Sequence, residues 1–158
     1  MNAAKDIAPT QRPEVLVIDD DEVLRLATRA ALTSAGFEVL EAPDGPRGLI
    51  AYQRRVPDII LLDIMMPGQD GFSVCREIRA KPGGGEVAIV MLTGLDDRDS
   101  IREAYDAGAT DFITKPINYL LLSQRVDYLM RAKRTADALR TSQARLGAAQ
   151  RIARLGHW

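Results

Sequence analysis

Ile59-Ile60-Leu61-Leu62-Asp63 decides the fold: four apolar residues in unbroken succession, closed by an acid. A short apolar run with turn formers on either side, Pro57-Asp58 before it and Pro67-Gly68 after it, reads as a strand covered on both faces. Residues 15–18, 87–92 and 111–114 make similar runs, and residues 37–40 alternate more, as an edge strand does. Apolar residues recur at helical spacing between these runs. Val23, Leu24, Ala27, Ala30 and Ala31 lead to a stop at Gly36. Phe72, Val74, Cys75 and Ile78 end before Pro82-Gly83-Gly84-Gly85, where a flexible loop is expected. Ile101, Ala104, Tyr105 and Ala107 stop at Gly108. Five strand-then-helix units with short connections predict an α/β fold, a doubly wound five-stranded parallel sheet.

A fifth helix is expected to start near Asn118, after Pro116, and nothing stops it between Ile117 and Gly147. Spacings of three and four run through Leu122, Arg125, Leu129, Ala132, Ala136, Leu139, Gln143, Leu146, Gln150 and Ala153, the pattern of an Ala-rich coiled-coil seam. A homodimer through this extended C-terminal helix is therefore expected.

Composition narrows the function. The 158 residues are 46% apolar and 27% charged, ordinary for a globular chain. No apolar run approaches the ~20 residues that span a bilayer, and the first residues lack the apolar centre of a secretory signal. One cysteine, Cys75, rules out an internal disulfide and fits a reducing compartment, so a cytoplasmic location is expected. The single histidine, His157, leaves the main body without His-based zinc sites or His-dependent triads. Net charge is −1, but residues 131–158 carry seven basic groups against Asp137 alone. That shift marks a change of role along the chain. Arginines spread along a helix read as a solvated or pairing face, and no nucleic-acid partner and no membrane are expected.

In an open parallel sheet, ligands bind beyond the carboxyl ends of the strands. Asp19-Asp20-Asp21 follows the first strand, Asp63 the third, Thr93-Gly94 the fourth and Lys115-Pro116 the fifth. Clustered like charges repel, and a cation would offset that repulsion. Oxygen ligands without nearby His or Cys point to Mg²⁺ rather than zinc.

Residues 15–21, Pro57-Asp58-Ile59-Ile60-Leu61-Leu62-Asp63-Ile64-Met65-Met66-Pro67-Gly68-Gln69-Asp70-Gly71, Met91-Leu92-Thr93-Gly94 and Phe112-Ile113-Thr114-Lys115-Pro116 together resemble the motif set of bacterial two-component receiver domains. The resemblance covers roughly residues 14–130. It implies a flavodoxin-like sheet of order 2-1-3-4-5. It also implies a chain that accepts a phosphoryl group on Asp63 from a histidine kinase or phosphotransfer protein. Asp20 and Asp63 would ligate Mg²⁺, with Asp19 acting through water and the Met65 backbone carbonyl completing the shell. Thr93 and Lys115 would hold phosphoryl oxygens, and Thr93 and Phe112 would form the switch. Pro67, Gly68 and Gly71 would shape the turn beside the nucleophile.

Met65 and Leu95, two residues after Asp63 and Thr93, cannot orient water, so a slowly hydrolysing phosphoaspartate is expected. The missing acid at Met65 also speaks against a free-standing aspartyl-phosphate phosphatase. Residues 148–158 resemble the opening of a PAS domain. The expected organisation is a disordered leader at 1–13, a receiver at 14–130, and a signalling helix with the start of a PAS-like domain at 131–158. An output module such as a cyclic-di-GMP enzyme or a histidine kinase would follow.

Overall fold

A computed structural model of the chain describes residues 12–94 and 98–155, with side chains as far as residue 151. The five expected strands are β1 (Glu14–Ile18), β2 (Glu38–Ala42), β3 (Ile59–Asp63), β4 (Ala88–Thr93) and β5 (Asp111–Thr114). They pair in parallel in the order β2-β1-β3-β4-β5, so β2 is an edge strand, as its alternation requires. Ile18 pairs with Leu62, Asp63 with Leu92 and Thr93 with Thr114, which brings these strand ends to one edge.

Side chains on a strand alternate between faces, and here both faces are buried. Leu16, Ile18, Ile60, Leu62, Ile89 and Met91 meet the apolar stripes of α2 (Gly45–Arg54), α3 (Gly71–Arg79) and α4 (Arg98–Asp106), including Tyr52, Val74, Ile78 and Ala104. Val15, Val17, Ile59, Leu61, Val90 and Leu92 meet Leu32 of α1 (Glu22–Ser34) and Leu122, Val126 and Met130 of α5 (Tyr119–Leu155). This two-sided burial is why β3 and β4 carry no polar residue before their ends, and β1 none after Glu14.

α5 runs unbroken for 37 residues, and the Asn118 carboxamide accepts from Leu120 N and Leu121 N at its start. The first positions of the expected seam are taken up by the domain itself. Leu122 is fully buried and Leu129 packs against the same cluster, so both serve the domain's own core. Leu139 and Leu146, further along, are exposed. No helix among the described residues is long and apolar enough to cross a membrane.

The expected flexible loop after α3 is fastened. Arg79 donates to the carbonyls of Gly84 (2.6 Å), Val87 (2.5 Å) and Gly108 (2.8 Å), and the Tyr52 hydroxyl donates to Pro82 O (2.9 Å). One guanidinium thus ties the turn to both neighbouring segments. The leader up to residue 11, Leu95, and the final residues 156–158, with His157 and the end of the PAS-like stretch, lie outside the described residues.

Candidate functional site: an acidic pocket at the carboxyl edge

Asp19 begins the turn after β1 and is fully buried, and Asp63 ends β3 at 3% exposure. Asp20 lies beside them at the surface. One carboxylate oxygen from each of the three falls within 4.8 Å of the others. Asp21 takes another role: it is the N-cap of α1, its Oδ1 accepting from Leu24 N at 3.1 Å. That satisfies an otherwise open amide at the helix start.

Lys115 follows β5 and reaches across the edge, its Nζ 3.2 Å from both Asp19 Oδ2 and Asp63 Oδ1. Its backbone N donates to Thr93 O at 2.7 Å, which ties the ends of β4 and β5 together. The Asp19 carboxylate is already engaged on both oxygens, since Oδ1 accepts from Asp21 N at 2.9 Å. Asp20 and Asp63 therefore retain more capacity toward a ligand. Three hard oxygens without His or Cys suit an oxygen-seeking divalent ion, and the donor set fits Mg²⁺.

Burial pushes the Asp63 carboxyl up to about 7, the Asp19 charge and a hydrogen bond with Asp20 add to the rise, and Lys115 opposes it. For Lys115, burial pulls the pKa down, but the Asp63 and Asp19 carboxylates outweigh it and the net direction is up. Asp63 ordinarily titrates near 3.8, so between that value and about 7 the folded state holds a proton that the unfolded chain has lost. Stability of the metal-free protein should then fall as pH rises through this window. Thermal melts from about pH 5 to about pH 8 should show that decline. Asp63→Asn should flatten it, leaving a smaller slope from Glu14, whose carboxyl burial also raises. An unchanged slope in Asp63→Asn would contradict the assignment.

The turn after β3 explains its own sequence. Gly68 takes φ 84°, open to glycine at little steric cost. Gly71 N donates to Ile64 O at 2.9 Å, and a Cβ there would stand 2.3 Å from Asp63 O and 2.8 Å from Ile64 Cα. Asp70 caps α3 by accepting from Ser73 N at 2.9 Å. Met65 is 65% exposed at the mouth, on a cleft of about 390 Å³ lined also by Asp20, Met66 and Pro67. Thr93 is buried at the end of β4. Phe112, half-buried on β5 beside Met91, meets Tyr105 of α4 edge-on, with ring centroids 6.0 Å apart.

One neighbour of the site escaped the sequence reading. Arg25 Nη1 donates to Asp19 O at 2.6 Å, and its Nε lies 3.6 Å from Glu41 at the end of β2. The available signal was an arginine one turn into a helix that opens with acids.

The sequence profile of the response regulator receiver domain matches residues 15–127. The chain is 42% identical over 149 residues to the response regulator PleD of Caulobacter vibrioides, covering 90% of this chain and 33% of that protein. It spans a third to a half of the length of the curated relatives it matches. The Vibrio cholerae chemotaxis protein CheY4 superposes with a TM-score of 0.72 at 30% identity, over 75% of this chain and 98% of that one. A probable two-component response regulator/GGDEF domain protein gives 0.72 at 29% identity, over 77% of this chain and 50% of that one. Receiver domains are regulatory modules that bind Mg²⁺ through an acidic pocket and are phosphorylated on aspartate. With that pocket at the carboxyl edge of a 2-1-3-4-5 parallel sheet and the profile spanning all five strands, the chain belongs to the response regulator receiver domain family.

Proposed function

We propose that residues 14–130 form a phosphorylation-controlled receiver that takes a phosphoryl group onto Asp63 from the phosphohistidine of a histidine kinase or phosphotransfer protein. The observation that carries this is Asp63 itself, buried at a strand end with two carboxylates and one ammonium around it. Asp63 Oδ attacks phosphorus as the bond to the imidazole nitrogen breaks, so the phosphoryl group passes from nitrogen to oxygen. Asp20, Asp63 and the Met65 carbonyl would hold Mg²⁺, with Asp19 acting through water, and the ion would supply neutralisation of the charge on the phosphoryl oxygens. Lys115 exchanges a carboxylate contact for a phosphoryl oxygen as a mobile point charge. Thr93 donates its hydroxyl to another oxygen. Its inward movement makes room for Phe112 to leave Tyr105, which biases the surface of α4, β5 and α5.

The long helix from residue 131 is the carrier of that switch to an output module, and it pairs with a second copy through its exposed positions. The match to PleD runs longer than the profiled segment, so it takes in part of this helix. A cyclic-di-GMP enzyme is favoured as output by the GGDEF-bearing structural relative, with a histidine kinase as the alternative. The chain itself is regulatory rather than enzymatic, with a cytoplasmic location, and 148–158 opens a PAS-like unit. A small-molecule phosphodonor with Mg²⁺, followed by intact mass, tests the reading. One retained phosphoryl group supports it; continuous release of phosphate without a retained group would favour a phosphatase.

Met65 should also set the lifetime. Its thioether is exposed two residues after Asp63 and has no group that could orient an attacking water. Met65→Asn is expected to speed phosphate loss by about tenfold, below the ~10²–10⁴ of full acid–base catalysis. Phosphate release timed after removal of the donor checks this, and an unchanged rate would discard the role.

A further inference from the structure

Beyond Met130, α5 has no buried apolar residue among its described side chains, yet it stays attached to the body. Lys133 Nζ lies 3.3 Å from Asp58 Oδ1, and Arg140 Nη1 lies 3.5 Å from Glu86 Oε1. The two cations are seven residues apart, two helical turns, and so share a face. That face continues the stripe of Leu122, Val126 and Met130 that packs against the sheet. The two acids precede β3 and β4, on the edge opposite Asp63.

Glu14, at the start of β1, adds to this edge. Its backbone N donates to Asp58 Oδ2 at 2.8 Å, and its carboxylate is 2.8 Å from Arg55 Nη2. The amino-terminal edge of the sheet therefore carries several acids, while the helix that crosses it is basic from residue 131 onward, with seven basic groups against Asp137 in residues 131–158. Packing ends at Met130, and charge takes over.

We propose that the amino-terminal edge of the sheet is a docking surface for the basic face of residues 131–140, with Lys133–Asp58 and Arg140–Glu86 forming a clasp that fixes the direction in which the helix leaves the body. At 100° per residue, Tyr128, Ala132 and Leu139 lie about 90–130° round the helix from the clasped face. Tyr128 and Leu139 are exposed there. The clasp thus orients a row of side chains away from the body and leaves it open. It does so at the far end of the sheet from the acidic pocket, and it does not depend on the phosphoryl chemistry.

Amide hydrogen exchange of the full chain, read over residues 131–142, tests the clasp. Glu86→Lys leaves the helix sequence untouched and is expected to speed exchange there about threefold, the scale of a partly exposed ion pair. Lys133→Gln keeps helix propensity and should give a similar increase, with about tenfold for both together. Adding Arg140→Glu to Glu86→Lys should restore part of the slow exchange, the remainder being lost with the pair that Arg140 also makes with Asp137 on its own helix. Glu103→Lys, the same charge change on α4, should leave it unaltered. Equal exchange in Glu86→Lys and the unaltered protein, failure of the reversal to restore protection, or an equal effect of Glu103→Lys would overturn the clasp.

Discussion

Asp63→Asn is expected to abolish phosphoryl uptake while leaving the fold intact and more tolerant of high pH. The carboxamide has nearly the volume of the carboxylate, so the end of β3 and the turn to Gly71 keep their packing. What it loses is the anionic oxygen that attacks phosphorus and one hard ligand of the acidic pocket. A buried charge beside Asp19 disappears with it, which removes the repulsion and desolvation that raise the Asp63 pKa. Intact mass after incubation with phosphodonor and Mg²⁺ reads the first effect, and thermal melting near pH 8 reads the second. Retained phosphorylation in the variant would place the acceptor elsewhere.

Gly71→Ala should be the most damaging single methyl near the site. The added carbon would sit 2.3 Å from Asp63 O and 2.8 Å from Ile64 Cα, atoms of backbone that cannot swing aside. Relief requires moving the first turn of α3 or the end of β3, and both set the position of the nucleophile. A loss of about 3 kcal/mol is expected, the scale of overpacking against a rigid wall. For a chain of this size that lowers the melting temperature by about 10 °C. Phosphoryl uptake should slow as well, because the carbonyl that moves belongs to Asp63. A variant melting at the unaltered temperature would show that the turn relaxes freely.

Most of the fold was legible because burial on both faces leaves no alternation to misread. β3 and β4 are apolar from end to end, and each stops at the residue that carries chemistry, Asp63 and Thr93. The site followed from the strands, since parallel order sends those ends to a common edge. What stayed hidden depends on side chains that meet far along the chain. Arg79 fastens carbonyls 5, 8 and 29 residues away, so a glycine-rich stretch that reads as slack is held in place. Leu122 and Leu129 fit a coiled-coil repeat as well as a core stripe, and only their place in one cluster with Leu32 of α1 and the strand residues of that face decides between them. Asp21 shares its run with Asp19 and Asp20, and geometry alone separates the helix cap from the other two acids. Periodicity reports which face is apolar, not what covers it.

Calorimetric titration with Mg²⁺ near pH 8 tests most directly whether the clustered acids hold a cation beside Asp63. One ion should bind per chain, with affinity reduced at least about tenfold in Asp20→Asn and in Asp63→Asn, as expected when a charged ligand becomes neutral. Binding should also weaken as pH falls below about 7, where Asp63 takes up its proton. No heat of binding in the unaltered protein, or equal affinity in both variants, would contradict the account.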